Sequence, residues 1–496
     1  MSSIRLTYSG IVGLLVRLSS LATGLIFSVL VTRNLAVSDF GLYSLIGSLV
    51  AYAMFGHIIS GYWITRQIAR GEKVGRTGIL TSGLFSVVGT IAYIIAAYFA
   101  SQNTSSDFSI LALGGILIPV TYISNTVDNI NSGFKPQAVS YALIAFEIAK
   151  IPFGYFLIEE IEIGLTGAII ATFLALIAKT IVGLYYALPQ IRDSFFNVKY
   201  FFYWIKLSWL SLYDGIATTI YVLDTLIVSL ILGTTEPLAY YAVAMTISII
   251  AGHSGALAVA LGPKLIADAK IEYVRSVLRL FTLVGIPLFA AVIIFAKPLL
   301  FVLNPVYSLA IIPVYLMSTR TFVYAAYTIF AGILGGIERV DSNNNSNFNQ
   351  YRKSNLFLLG TLQHVRVGQY ISSLIIVVLV AKFSELSTID TVIFWVLSSL
   401  LADITITVYL IYRVRLAKFL AFDWKSTSKY ILIAILCSLI SVYMIETFVS
   451  YERDLFILLP GILVSLAVAG GVYFGILFLI DDYMKTIFKF LFKKNS

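Results

Sequence analysis

The sequence predicts an all-α polytopic membrane protein of about fourteen transmembrane helices: two pseudo-symmetric six-helix lobes plus two C-terminal helices. Three observations predict it. Of 496 residues, 59% are hydrophobic and only 12% charged, about half the charge of a soluble domain. Apolar windows of roughly 20 residues, long enough to cross a bilayer as a helix, recur along the whole chain. Finally, one pattern occurs twice. An apolar run ends in Arg33-Asn34-Leu35-Ala36-Val37-Ser38-Asp39-Phe40-Gly41-Leu42-Tyr43, and another ends in Leu232-Gly233-Thr234-Thr235-Glu236-Pro237-Leu238-Ala239-Tyr240-Tyr241. Each linker is tight and carries an acid four residues before a tyrosine. Tyr43 thus aligns with Tyr240 at an offset of 197. A membrane protein built from two parallel halves keeps its substrate between them, so the repeat directs the search for function to the interior.

Taken in order, the N-lobe, residues 1–190, holds spans near 10–32, 40–62, 78–100, 109–131, 138–158 and 164–187. The first of these is long enough to span and lacks a small-residue cleavage pattern, so it reads as a helix and not a removable leader. The C-lobe, residues 191–412, holds spans near 207–232, 238–262, 278–300, 307–331, 356–380 and 391–411. Its Asn-rich stretch Asp341–Gln350, within a loop over 338–355, has the composition of a flexible linker. Residues 413–496 supply spans near 430–448 and 456–480 and a basic tail. In the two repeated linkers, Asp39 and Glu236 are expected to cap the helices that follow.

Loop charge orients the spans. With the N-terminus inside, 25 of the 34 basic residues fall on inward segments. Four, Arg33, Lys297, Lys382 and Arg453, fall outside, and five lie within spans. This bias places both termini in the cytoplasm of a cell-membrane protein. The formal charge of +9 is accordingly a topology signal and an attraction to anionic headgroups, not a nucleic-acid surface. Membrane lipids are expected partners, and the chain is expected to act as a monomer. The single cysteine, Cys437, excludes internal disulfides, and three histidines make a polyhistidine metal site improbable. No cofactor or metal site is expected. Outer loops are too short to fold a catalytic domain, which argues against an enzyme. Asn103-Thr104-Ser105 is a glycosylation sequon on an outer loop.

The candidate functional residues are the charges inside the spans, where each costs on the order of 3 kcal/mol near a helix centre. Arg17, Lys150, Lys179, Arg320 and Arg366 are the cations; Asp128, Glu147, Asp214, Asp224 and Asp403 are among the acids. Helical spacing groups them. Arg17 shares a small, polar stripe with Gly13, Ser20 and Gly24; it either faces the lumen or snorkels to the inner surface. Glu147 and Lys150, three apart, can pair. Asp128 is expected to cap or anchor. Arg320 shares a face with Tyr324 and Tyr327, and Arg366 with Gln369, Tyr370 and Ser373. Both arginines lie near mid-span, so they either line a cavity or form a salt bridge with Asp403. Tyr324 and Tyr327 either line the same cavity or are ordinary packing. His253 reads as a satisfied core histidine or a proton relay. The offset of 197 also sets Arg17 opposite Asp214, where the two could close a cytoplasmic gate. Asp214, Asp224, His253 and Asp403 are the gating or coupling candidates.

Several of these segments together resemble a known group. Thr32-Arg33-Asn34-Leu35-Ala36, Asp39-Phe40-Gly41-Leu42-Tyr43 and Thr65-Arg66-Gln67-Ile68-Ala69-Arg70 resemble the N-terminal signature of Wzx-like polysaccharide flippases, a branch of the MOP (MATE-like) superfamily. Asp224-Thr225-Leu226-Ile227-Val228-Ser229-Leu230-Ile231-Leu232-Gly233 resembles the group's seventh helix, and Gly262-Pro263-Lys264-Leu265 the end of its eighth. The resemblance implies two lobes in a V and alternating access that moves a polyprenyl-phosphate- or diphosphate-linked oligosaccharide from the inner to the outer leaflet. A glycan polymerase or oligosaccharyltransferase would be the partner machinery. A cationic lumen suits such cargo, because arginine's forked donors match phosphate, while hydroxyl, amide and tyrosine side chains suit sugars. Helices 13 and 14 could flank the polyprenyl tail. The alternative is a cation-coupled multidrug or metabolite antiporter of the same fold; here the first helix offers Arg17 and no acid.

Overall fold

The structure is a computed structural model that describes residues 20, 22–258, 261–267, 269–340 and 348–486, excepting the side chains of residues 207, 209–211, 214, 256–258, 262, 263, 267, 348 and 351. Among the described residues there is no strand. A helix over 22–34 (α1) opens the described chain. Thirteen helices long and apolar enough to cross a membrane follow: α2 Val37–Ala69, α3 Gly75–Thr104, α4 Phe108–Phe134, α5 Gln137–Glu160, α6 Gly164–Arg192, α7 Gly215–Leu232, α8 Glu236–Gly255, α9 Ile271–Leu303, α10 Pro305–Ile337, α11 Asn355–Phe383, α12 Thr388–Leu416, α13 Trp424–Phe448 and α14 Leu455–Ile480. The chain is a multi-pass membrane protein with the all-α architecture expected from its apolar windows.

Local sequence explains the ends and breaks. Two residues, Leu35 and Ala36, separate α1 from α2. Asp39 lies in the first turn of α2, whose N-cap is Ala36 without any side-chain cap. The expected capping role is therefore replaced by a charge at the positive end of the helix dipole. Glu236 likewise begins α8, and its N–H donates to Thr234 Oγ1 at 3.3 Å. Gly233 closes α7 with φ of 73°, a conformation only glycine adopts freely. Within α2 the helix tightens to a 3-10 turn at Met54–Gly56, and the Tyr122 hydroxyl donates to the Ala53 carbonyl there at 2.8 Å. In α5, Pro152 lacks a donor, and the last turn widens to a π-helix over Tyr155–Glu160. Asp423 and Asp454 cap α13 and α14 through the N–H groups of Ser426 and Phe456.

The chain packs as two compact units. The first is Met1–Ala242 with Gln363–Trp395; the second is Val243–Leu362 with Val396–Ser496. In the first, α2, α4 and α6 bury Ile64, Val127, Ile130 and Ala187 against Trp204 of a short helix, Val198–Leu207, that precedes α7. The repeated linkers lie side by side in this unit: Thr235 Oγ1 donates to the Ser38 carbonyl at 2.9 Å. The second unit has one core built by Leu278, Phe281, Phe330, Ile333, Ile406 and Leu410. Another, Leu283, Tyr430, Ile433, Tyr473 and Leu477, joins α9 to α13 and α14.

Candidate functional site

The first unit contains a buried carboxylate in an aromatic cage. A turn at Val222 and Leu223 interrupts the helix before Asp224, whose Oδ1 accepts from the Thr225 N–H at 2.7 Å. Oδ2 accepts from the Tyr370 hydroxyl at 2.7 Å and the Tyr241 hydroxyl at 3.4 Å. These donors offset the cost of burying the acid. Tyr370 is itself fixed, since Trp395 Nε1–H donates to its oxygen at 2.8 Å. Tyr241 and Trp395 stack with ring centroids 3.9 Å apart and planes 9° apart. The break in α7 leaves the Val222 carbonyl to accept from the Tyr52 hydroxyl of α2.

Arg366 extends this cluster along α11. Its guanidinium lies 4.4 Å from the Tyr221 ring centroid, and Nη1 donates to Gln363 Oε1 at 3.3 Å. Tyr221 in turn lies over Tyr370 at 4.9 Å, and His364 stacks on Tyr213 at 4.1 Å. Guanidinium, phenol faces and carboxylate thus follow one another within one packed cluster. The cluster combines a cation, aromatic rings and one protonatable group in the interior of the unit. Gln369 is exposed beside the buried Arg366 and Tyr370.

Two further intramembrane cations of the first unit, Lys150 and Lys179, are paired with acids. Lys150 Nζ lies 2.9 Å from Glu147 Oε2, which also accepts from the Thr23 hydroxyl at 2.6 Å, while Ser20 donates to Glu147 Oε1. Lys179 Nζ lies 2.6 Å from Asp128 Oδ2. Asp128 therefore joins α4 to α6, in place of the capping or anchoring role expected. His57 was not singled out by spacing. Its Nε2 meets Asn129 Nδ2 at 2.9 Å, and its Nδ1 is buried without a hydrogen-bond partner. Arg17 lies outside the described residues, as does the side chain of Asp214, so their pairing does too.

In the second unit, Arg320 Nε lies 3.3 Å from Asp403 Oδ2, the salt bridge that opposite mid-span charges allowed. Arg320 Nη1 also lies 3.1 Å from Met317 Sδ. Tyr324 and Tyr327 stack on each other at 5.4 Å, and Tyr327 belongs to the apolar core, which favours packing for this pair. His253 begins the 3-10 turn His253–Ala258 in which α8 ends. A second charged cluster, not anticipated from sequence, ties α9 to α13 and α14. Arg279 Nη2 donates to Asp481 Oδ1 at 2.8 Å, Arg279 Nε to the Tyr430 hydroxyl oxygen at 3.0 Å, and Tyr430 to Asp481 Oδ2 at 2.8 Å. Burial alone would raise the Asp481 carboxyl, but Tyr430, the Tyr483 N–H, Arg279 and Lys429 outweigh it and hold it below its usual range. Asp423 is also lowered, by the hydroxyl and N–H of Ser426 and then by Arg279 and Arg275.

Solved structures of the same architecture exist. The chain matches a lipid II flippase, MurJ in an inward closed conformation, with TM-score 0.66 and 15% identity over 97% of this chain and 100% of that one. It matches an inward-facing multidrug resistance MATE family transporter of the MOP superfamily with TM-score 0.60 and 16% identity over 81% of this chain and 95% of that one. A MOP superfamily transporter from Pyrococcus furiosus matches with TM-score 0.52 and 16% identity over 84% and 96%. The fold is the one shared by MATE and MurJ. At these identities the likeness concerns backbone, and with the MurJ structure it reaches nearly the whole chain. No family model and no curated protein matches the sequence.

Proposed function

We propose that the protein is a transporter that flips a polyprenyl-phosphate- or diphosphate-linked oligosaccharide from the cytoplasmic to the outer leaflet by alternating access. The observation that carries this reading is the extent of the structural match. MATE structures are matched over nearly their whole length yet leave 16–19% of this chain unaccounted for. A lipid II flippase accounts for 97% of it, from end to end of its own chain. The extra helices α13 and α14 suit a protein whose cargo has a lipid tail as well as a polar head. The lobes of such a transporter would be residues 1–190 and 191–412, both termini would be cytoplasmic, and the membrane would be the cell membrane.

Arg366 suits the cargo's phosphate, because its guanidinium lies 4.4 Å from the Tyr221 ring centroid in a cluster of aromatic rings. Lys150, Lys179 and Arg320 face carboxylates and would serve the cargo by exchanging partners during the cycle. The caged Asp224 favours one element of the second reading, a cation-coupled antiporter: a protonatable group inside a lobe.

The test is leaflet exposure of a fluorescent, short-chain lipid-linked phospho-oligosaccharide in reconstituted vesicles. Arg366→Ala and Arg320→Ala are expected to abolish or sharply slow its appearance in the opposite leaflet. Undiminished flipping by the double variant would sink the cationic-lumen mechanism. Proton-driven export of organic cations without glycolipid flipping would favour the antiporter.

A further inference from the structure

The segment between α6 and α7 is fastened to the first unit on one side and open on the other. Its fastenings are specific. The Arg76 N–H donates to Ser194 Oγ at 2.7 Å, and the Asn197 N–H to Thr77 Oγ1 at 3.0 Å. Asn197 caps the short helix Val198–Leu207 through the Lys199 N–H. Trp204 is fully buried, and its Nε1–H donates to Gln67 Oε1 of α2 at 2.9 Å. Just beyond, Trp63 Nε1–H donates to Ser208 Oγ at 3.2 Å.

Other side chains of the segment are left largely exposed, although Tyr203 touches the Trp63 ring and Phe202 the Phe201 ring. Phe195 is 81% exposed and Phe202 63%; Tyr203 and Ile205 are exposed as well. At a helical advance of about 100° per residue, Phe202 and Lys206 fall on one line, flanked by Lys199 and Tyr203. Lys199 and Lys206 are both exposed. A helix with aromatic and aliphatic side chains interleaved with lysine on one face, and a locked tryptophan on the other, has the make-up of an interfacial membrane helix. It also lies between two spans, α6 ending at Arg192 and α7 beginning at Gly215, so its ends are held close to a membrane surface.

We propose that the outward face of Val198–Leu207 lies in the headgroup region of the basic, cytoplasmic side of the bilayer and binds anionic lipid. Phe195 and Phe202 enter the acyl boundary, and Lys199 and Lys206 meet headgroup phosphates. Because Trp204 is tied to Gln67, lipid bound there also holds the cytoplasmic end of α2. This surface is independent of what the protein carries.

The test uses the full chain in lipid nanodiscs, with Cys437→Ser as background and a bimane label on Phe202→Cys. Phe195→Cys carries the same test should the first variant fail to fold, and a label on Lys353→Cys is the aqueous control. With anionic phosphatidylglycerol in the disc, the Phe202 label should be quenched by lipid bearing a shallow doxyl group and protected from iodide. Adding K199E and K206E, or using zwitterionic lipid alone, should move its quenching toward that of the control. Iodide quenching equal to the control in anionic discs would overturn the proposal. Protection from both quenchers would overturn it too, because protein would then be covering the face. Doxyl quenching unchanged by lipid charge and by both substitutions would overturn the anionic preference.

Discussion

Thr235 donates its hydroxyl to the main-chain carbonyl of Ser38 at 2.9 Å, and the two residues are 197 apart. That separation equals the offset that aligns the repeated linkers. Equivalent positions of the two halves therefore touch. Gly41 lies directly beneath: a Cβ there would sit 2.0 Å from the Thr235 carbonyl oxygen, so the approach of the linkers requires glycine.

Gly41→Ala should consequently lower the thermal midpoint of the purified protein. Overpacking of this kind costs about 1–3 kcal/mol. Gly47→Ala, on the same helix with nothing within 4 Å of the added carbon, should be neutral or slightly stabilising. Parallel thermal unfolding in one detergent compares them, and equal midpoints would refute the close approach.

Tyr370→Phe should disturb two partners at once. It removes a donor to Asp224 and the acceptor for Trp395 Nε1–H. Hydrogen bonds inside membrane proteins average about 0.6 kcal/mol and reach about 1.7, and here a buried carboxylate loses one of its donors and a buried indole N–H its acceptor. A loss of roughly 1–3 kcal/mol is expected, together with a changed tryptophan emission spectrum. A variant indistinguishable from the parent by both measures would contradict the cage.

Arg320 and Asp403 should show strong coupling. Asp403→Leu leaves a guanidinium without its buried carboxylate and should cost about 3–5 kcal/mol. Adding Arg320→Met should recover most of that loss. A double-mutant cycle on folded yield and unfolding midpoint decides it; additive losses would mean the 3.3 Å pair carries no mutual stabilisation.

Acid should weaken the α9–α13–α14 cluster. The carboxyls of Asp481 and Asp423 are both lowered on folding. Their contribution is thus complete above the ordinary carboxylate range near about pH 4 and is lost as pH falls through the lowered folded values. The unfolding midpoint should stay level from neutral pH until about that value and then drop. Asp481→Asn should start lower at neutral pH and fall less steeply. An unchanged acid limb in that variant would assign the pH dependence to other groups.

Much of the architecture was legible because lipid imposes a strict rule: helices of spanning length and apolar composition have no alternative. The ruler of 197 residues was also legible, as was the possibility that Arg320 meets Asp403. What sequence could not show is which polar residues of different helices meet. Asp128 and Lys179 both stood out as interior charges, but nothing in their spacing joins α4 to α6. Tyr370, Tyr241 and Trp395 look like ordinary members of apolar runs; only packing turns them into donors around Asp224. Asp39 reads as a cap from sequence because composition at helix starts does not distinguish the cap from the third helical position. Trp204 gave no hint of Gln67, which sits within the motif that prompted the family resemblance.

The tie from Arg279 to Asp481 also bears on how the protein is made. Membrane helices leave the ribosome in order, and α9 is inserted nearly two hundred residues before Asp481 is synthesised. Until then its Arg279 waits at the membrane edge with Tyr430 and Asp481 still to come. The final hairpin therefore completes a helix group begun much earlier. A chain released before Asp481 would have every preceding span but an unfinished clasp, leaving a quality-control protease a chemical difference between truncated and finished molecules.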